Sequence, residues 1–148
     1  MVAGHLKGSG CIALPLTRHP RSRKRMVVAR AGRGWHAETE YRALVHTDDA
    51  TLVRLRMRTG VTHQLRAHLA QLGHPVIGDR RYGRLGTAIS ASCGAAVPSW
   101  HYLHALRMSG DDPQMLGVAL ATAFPRHWTP LFTQLEWPLD AIDPPAAR

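Results

Sequence analysis

Cysteine, acidic residues and long apolar runs are scarce in this 148-residue chain, and each shortage excludes a class of protein. The two cysteines, Cys11 and Cys93, have no metal-ligand spacing and form no disulfide framework, so we expect two reduced thiols. No apolar run approaches the roughly 18 residues that cross a bilayer, and Pro15 breaks the short apolar piece near the N-terminus. We therefore expect a soluble, cytoplasmic protein without a secretory signal.

Several catalytic motifs are also missing from the sequence. It contains no phosphate-binding glycine loop followed by Lys-Ser/Thr, no dinucleotide fingerprint and no Gly-x-Ser-x-Gly elbow. These absences argue against the common nucleotide-binding and hydrolase classes.

Positive charge is abundant and lies almost entirely in the first part of the chain. Residues 1–83 carry 15 Lys/Arg against 5 Asp/Glu, a balance of +10, whereas residues 84–148 carry 4 against 5, a balance of −1. This asymmetry favours a surface that binds a polyanion, because cationic side chains release condensed counterions from phosphates. A merely solubilising surface is the alternative. The most concentrated cations surround Pro20, and we predict that they bind RNA phosphates: Arg18, Arg21, Arg23, Lys24 and Arg25.

The apolar pattern predicts short strands followed by one helix. We expect strands over 11–16, 26–30, 39–46 and 51–58. In the last of these, Val53, Leu55 and Met57 should face the core, and the arginines at 54, 56 and 58 should face the opposite side. Leucines at 65, 69 and 72 then recur with a helical period. Thr62 is the expected N-cap, and Gly73 followed by Pro75 should end the helix.

The remaining sequence predicts less regular structure. Residues 85–99 are rich in small residues and indicate a flexible loop, and strands are expected over 102–108 and 115–123. A closing helix over 128–137 and a tail over 141–148 complete the prediction. Residues 1–140 would form one domain.

Three histidines and two charged residues are the candidates for chemistry. His63 and His68 lie about 140° apart around a helix, so a metal site that includes His74 is a weaker interpretation than ordinary polar histidines. Arg66 flanks the apolar stripe and can reach a partly buried carboxylate, but its position alone favours an ordinary solvated arginine. Asp79 has the chemistry of a nucleophile, but the favoured interpretation is a turn carboxylate that accepts hydrogen bonds from nearby backbone amides.

Read together, these residues resemble the signature of the RluA-type RNA pseudouridine synthases. The matching positions extend from Thr59 to Gly83, and flanking matches include Pro15-Leu16, Thr39-Glu40-Tyr41 and Leu103-His104-Ala105. The resemblance covers most of the chain and implies the C-terminal half of such an enzyme. It also implies an α+β fold with a mixed, largely antiparallel sheet and flanking helices. Val61 departs from the pattern, since the family usually has arginine there.

The resemblance implies a reaction and a set of site residues. Family members isomerise uridine in structured RNA, ribosomal or transfer, to pseudouridine without a cofactor or metal. Their essential aspartate lies in an Arg-Leu-Asp segment that this sequence lacks, and it pairs with the arginine that matches Arg66. The resemblance places four further residues at the substrate pocket: Thr62, His63, Gln64 and Leu103.

The missing aspartate leaves three interpretations open. The chain could be a truncated or split synthase, a noncatalytic RNA-binding module, or an inactive gene fragment. In the first case we expect exposed sheet edge and apolar surface, and therefore self-association or pairing with a chain that carries the catalytic half.

Overall fold

The computed structural model forms two compact units, Met1–Tyr102 and Leu103–Arg148, which are taken in turn. No described helix is long and apolar enough to span a membrane. The predicted loop over 85–99 and the predicted tail over 141–148 lie outside the described residues. The structure describes residues 1–30, 33–83, 100–108, 120–121 and 123–139.

Six strands and one helix build the first unit. β1, β6, β5 and β2 form an antiparallel sheet in that order, while β3 and β4 form a separate antiparallel hairpin. The α+β class and the antiparallel sheet are thus confirmed. The elements in chain order are β1 (Val2–Ala3), β2 (Ser9–Ala13), β3 (Leu16–His19), β4 (Ser22–Val28), β5 (Glu38–His46), β6 (Ala50–Met57) and α1 (Gln64–Gln71).

The strand predicted over 11–16 is wrong in one respect, because two strands share that segment. β2 ends at Ala13, and β3 begins at Leu16 in the other sheet. Pro15 explains the break, since proline has no N–H to donate to a ladder. Its carbonyl instead accepts the N–H of Ala29 at 2.7 Å, which helps to hold the end of the hairpin.

β6 shows the predicted alternation, but its apolar face is only partly covered. Val53 and Leu55 are half-buried, while Arg54 and Arg56 on the other face are exposed. Met57 was expected in the core and is 46% exposed. The reason is its position, since β1 pairs only with Ala50 and Thr51 at the start of β6.

Helix α1 begins later than the sequence predicts. Thr62 is not the N-cap; that position belongs to His63, which has a left-handed backbone with φ of 54° and gives no side-chain cap. The side chain of Gln64 bonds back to the segment before the helix, where its Oε1 accepts the N–H of Val61 at 3.0 Å. The predicted stop is confirmed, since the helix ends at Gln71 and Gly73 has φ of 86°.

A directed hydrogen-bond chain fastens α1 to the sheet. Gln64 Nε2 donates to Thr39 Oγ1 at 3.0 Å, and His68 Nδ1 lies 2.9 Å from the same hydroxyl. His68 Nε2 lies 2.9 Å from the Leu14 carbonyl, which can only accept, so the ring proton is on Nε2. The Thr39 hydroxyl therefore donates to Nδ1 of a neutral imidazole. Thr39, Gln64 and His68 are all buried, which makes this polar contact a fixed part of the core.

The core of the first unit joins the hairpin to the helix. Leu16 of β3 and Met26 of β4 pack with Ala67 of α1, and Ala37 and Tyr82 complete the cluster. Because apolar burial contributes about 25 cal/mol per Å², this cluster stabilises the packing of the hairpin against the helix.

The second unit contains short elements and an aromatic cluster. β7 (Arg107–Met108) pairs antiparallel with β8 (Leu120–Ala121). β7 is shorter than the strand predicted over 102–108, and most of the strand predicted over 115–123 lies outside the described residues. A 3-10 helix, Arg126–Trp128, leads into α2 (Thr129–Gln134). The predicted closing helix is therefore present in shorter form. Phe132 packs edge to face on Phe124 and Trp137.

The state of His68 predicts a pH dependence of stability. Burial lowers the pKa of His68 below its ordinary 6.5, so the unfolded chain binds the proton more readily than the folded chain. The stability that neutral His68 contributes is complete above about pH 6.5 and is lost as the pH falls below it. Denaturant unfolding of His68→Gln between pH 5 and 8 should show a weaker pH dependence than wild type. An unchanged slope in His68→Gln would contradict the assignment.

Candidate active site

The centre of the candidate site is a bidentate ion pair between Arg66 and Asp79. Arg66 Nε and Nη2 donate to the two Asp79 carboxylate oxygens at 2.6 and 2.7 Å. The Asp79 side chain is fully buried and that of Arg66 is 15% exposed. Such a fork-to-fork contact fixes the plane of the guanidinium as well as its position.

The turn that follows α1 places Asp79 for this contact. Gly78 has φ of 80°, and a Cβ at that position would clash with the Trp100 carbonyl, so only glycine fits there. Asp79 Oδ1 also accepts the N–H groups of Arg81 at 2.9 Å and Tyr82 at 3.1 Å. The predicted bonding of this carboxylate to nearby backbone amides is confirmed.

Asp79 stays ionised despite its burial. Burial alone would raise the pKa of Asp79, but the hydrogen bonds from Arg66 and from the amides of Arg81 and Tyr82 outweigh it and lower that pKa. The same contact raises the pKa of Arg66. Arg66 and Asp79 therefore form a permanently charged pair at neutral pH.

Tyr82 connects this pair with the basic hairpin. Its ring lies under the guanidinium carbons of Arg66 at 5.0 Å and Arg25 at 5.5 Å, within cation–π range. Its hydroxyl accepts the Met26 N–H at 2.7 Å and lies 3.1 Å from His63 Nδ1. The Tyr82 hydroxyl and the Nδ1 of a neutral His63 share one hydrogen bond, in which either group can be the donor. Burial, together with the charge of Arg66, lowers the pKa of His63 and favours this state.

Arg66 opens onto a cleft of about 410 Å³, in which arginines and a histidine predominate. Asp79 occupies the Nε–Nη2 side of the guanidinium, which leaves two N–H groups on Nη1 and one on Nη2. Those three donors have no hydrogen-bond partner among the described residues. These N–H groups can donate to a second carboxylate that approaches the end of the guanidinium. The cleft is lined by Arg66, Gly78, Asp79, Arg80, Arg81 and His101.

The residues predicted for the substrate pocket lie in different environments. Thr62 is exposed, and His63 is half-buried against Tyr82. Gln64 is buried, and its amide bonds only within the chain: Oε1 accepts from Thr59 and Val61, and Nε2 donates to Glu38 and Thr39. Leu103 is half-buried in the second unit. The pocket roles of these four residues stay predictions.

The three candidate metal histidines have separate partners. His63 contacts Tyr82, His68 contacts Thr39, and His74 Nδ1 lies 2.9 Å from the Ala3 carbonyl. Within the described part of the chain, no group of three His, Cys, Asp or Glu side chains could hold a metal ion.

The predicted RNA-binding cations lie on the β3–β4 hairpin, close to the ion pair. Four of the five are solvent-exposed along β4 and the turn before it, and Arg18 is exposed on β3. Arg81 Nη1 donates to the Lys24 carbonyl at 2.6 Å, which ties the Asp79 turn directly to the hairpin. The hairpin and the site are thus one connected surface.

Sequence reasoning missed that Asp79 is the partner of Arg66 in this chain. Thirteen residues separate them, and helical spacing cannot predict a contact from a helix to a later turn. A usable signal existed in the Gly78-Asp79 pair, because a glycine with positive φ can bring a carboxylate back toward a preceding helix.

Removal of the buried carboxylate should destabilise the first unit strongly. Asp79→Ala leaves a buried arginine and two amides without an acceptor, so we expect a loss of about 3 kcal/mol in the free energy of unfolding. The exposed ion pair between Arg58 and Glu40 provides the control, and Glu40→Ala should cost less than about 1 kcal/mol. Denaturant titration measures both variants. Equal losses would refute the structural role of Asp79.

Comparison with characterised proteins reveals a consistent set of relatives. No protein-family model matches the chain. It is 35% identical over 113 residues to ribosomal large subunit pseudouridine synthase D of Zymomonas mobilis, covering 76% of this chain and 36% of that protein. The same enzyme of Nitrosomonas europaea is 36% identical over 113 residues, covering 76% and 32%. That of Escherichia coli K12 is 42% identical over 80 residues, covering 54% and 24%. The chain spans about a third or less of the length of these relatives.

Solved structures agree with the sequence relatives. Human RNA pseudouridylate synthase domain containing 1 superposes with a TM-score of 0.66 at 25% identity, covering 84% of this chain and 51% of that one. Human RNA pseudouridylate synthase domain containing 4 gives 0.68 at 23% identity, covering 91% and 60%, and supports the fold alone. This chain is therefore similar to the RluA-type RNA pseudouridine synthases over part of their length.

Proposed function

We propose that this chain supplies the arginine-bearing part of an RNA pseudouridine synthase. The substrate is uridine in a structured ribosomal or transfer RNA, and the product is pseudouridine. The proposal rests on the geometry of Arg66, which lines the cleft. Asp79 fixes one side of its guanidinium, and three N–H groups are left to donate.

The free donors of Arg66 suit the aspartate of the family's Arg-Leu-Asp segment. Three remaining N–H groups can hold that carboxylate ionised and oriented, as a nucleophile requires. The reaction then breaks the glycosidic bond to N1, turns the base and joins C5 to the sugar. Because Asp79 already fixes the guanidinium, no reorganisation of Arg66 is needed when the carboxylate arrives.

We propose that the segment carrying this aspartate joins the first unit along β6. Beyond Thr51 the outer edge of β6 has no strand partner among the described residues. On the same strand, Val53 and Leu55 are half-buried and Met57 is 46% exposed. An open edge beside an apolar face is a surface that another strand covers favourably. Further chain of the same protein or a separate chain could supply it.

RNA is the proposed partner of the basic hairpin, in the cytoplasm. Arg18, Arg21, Arg23, Lys24 and Arg25 are presented beside the cleft, so phosphate contacts there would position an RNA for the site. A noncatalytic RNA-binding module is the second candidate function, since the hairpin can bind phosphates whether or not an aspartate reaches Arg66.

Activity measurements separate these two functions. A longer chain that joins these 148 residues to the Arg-Leu-Asp segment of a synthase relative should convert uridine in ribosomal RNA, whereas the 148 residues alone should not. In the longer chain, Arg66→Lys should lower the conversion rate by about 100-fold or more, because lysine cannot hold two carboxylates in one plane. RNA affinity should change little.

Arg56→Lys, on the exposed face of β6, is the matched control and should keep full activity. Conversion by the 148 residues alone would show that the nucleophile is already present. Equal loss of activity and RNA affinity in Arg66→Lys would indicate a folding role instead.

The open edge of β6 predicts self-association of the 148-residue chain. Sedimentation velocity should show oligomers whose fraction rises with concentration, because an uncovered strand pairs with a second copy. Leu55→Lys, which puts a charge on the apolar face, should shift the protein toward monomer. The control Arg42→Lys, on the opposite face of β5, should not. A wild-type protein that stays monomeric and unfolds cooperatively would contradict the proposed surface.

A further inference from the structure

Trp35 is a large aromatic side chain held at the surface beside the basic hairpin. It is 52% exposed, although its backbone is firmly paired. Its N–H donates to the Leu16 carbonyl at 2.8 Å, and its carbonyl accepts the Leu16 N–H at 2.9 Å. Leu16 is fully buried. The main chain under Trp35 is therefore anchored to the core while much of the indole faces solvent.

Gly34 shows that this presentation is built into the backbone. It has φ of 92°, and a Cβ there would lie 2.7 Å from both the Ala29 Cβ and the Leu16 carbonyl oxygen. Only glycine permits so close an approach. The turn thus fixes the backbone position from which the Trp35 side chain projects. A residue held in place in this way loses less entropy when it binds a flat ligand.

The surroundings of Trp35 are cationic. Arg30 and Arg33 precede it, and the Arg33 N–H bonds the Arg30 carbonyl at 3.1 Å in the same turn. Both arginines are exposed, and neither forms an ion pair within the described residues. β3, which Trp35 pairs with at Leu16, also carries the exposed Arg18. An exposed ring among unpaired cations suits a ligand that combines a flat base with phosphates.

We propose that Trp35 is a stacking platform for an unpaired base of the RNA that the basic hairpin binds. This inference rests on the proposed RNA partner and names the contact that recognises it. The hairpin cations would neutralise phosphates, while the indole would take the face of a base that is turned out of a helix. Base stacking tolerates any sequence, so Trp35 contributes affinity for single-stranded RNA and no base preference.

Binding of a fluorescent single-stranded uridine-rich RNA to the 148-residue chain tests this contact. Trp35→Leu keeps apolar bulk but has no aromatic ring, and it should weaken binding by about 5-fold or more. Trp35→Phe should retain most of the affinity. The control Leu72→Ala, at another exposed large apolar side chain, should bind as wild type. The slope of affinity against salt should not change in Trp35→Leu, because no cation is removed.

Charge variants in the same assay distinguish stacking from phosphate contact. Replacing Arg21, Arg23 and Lys24 by Gln should weaken binding and flatten the salt slope. The matched triple replacement of Lys7, Arg42 and Arg56, all exposed, should have a smaller effect. Heparin, a polyanion without bases, should bind Trp35→Leu and wild type equally well.

The outcomes separate the two proposals. If wild type binds RNA and Trp35→Leu binds equally well, the stacking contact is wrong and the RNA partner stands. Equal weakening by Trp35→Leu and Leu72→Ala, or a loss of heparin binding in Trp35→Leu, also overturns the contact. If wild type does not bind RNA, both the contact and the proposed RNA partner fail.

Discussion

The buried contact between Arg66 and Asp79 is the constraint around which the first unit is arranged. A charged pair is stable away from water only when each partner is fully bonded, and here the carboxylate accepts two guanidinium and two backbone N–H groups. Those bonds require the turn after α1 to return to the helix, which Gly78 permits. The position of the turn then places Tyr82 between helix and hairpin, so one electrostatic requirement sets the geometry of three elements.

Through Tyr82, the proposed chemistry and the proposed RNA surface become parts of one structure. Its ring supports the guanidinium of Arg66, and its hydroxyl holds the backbone of β4 at Met26. Arg81, in the same turn, bonds the Lys24 carbonyl of that strand. These short, direct contacts would position a phosphate, bound at the proposed RNA surface of the hairpin, against the cleft. Such rigid support is what a site needs in order to orient a turned-out base.

Local patterns in the sequence predicted helix α1 and the strands. They could not predict contacts between residues that are distant in sequence. Leu65 and Leu69 marked the helix, and alternation marked β6, because periodicity reports which face of an element is apolar. The start of α1 was misplaced at Thr62, since His63 takes the N-cap position without a side-chain cap. The uncovered face at Met57 could not be foreseen, because exposure depends on which strands lie alongside β6.

In the candidate site, too, local sequence patterns indicated the residues but not their tertiary contacts. The residue types were visible in the stretch from Thr59 to Gly83, but the position of Arg66 favoured a solvated side chain, and only the family resemblance implied a carboxylate partner. That the carboxylate is Asp79 follows from a tertiary contact with no local signature. Asp79 occupies only one side of the Arg66 guanidinium, so three N–H groups are left for the second carboxylate that we propose.

A crystal structure of these residues joined to the Arg-Leu-Asp segment of a synthase relative tests this arrangement most directly. The segment's aspartate should accept hydrogen bonds from Nη1 and Nη2 of Arg66, while Asp79 retains its hydrogen bonds from Nε and Nη2. This arrangement would be contradicted by a structure in which that aspartate displaces Asp79 or lies out of hydrogen-bond reach of Arg66.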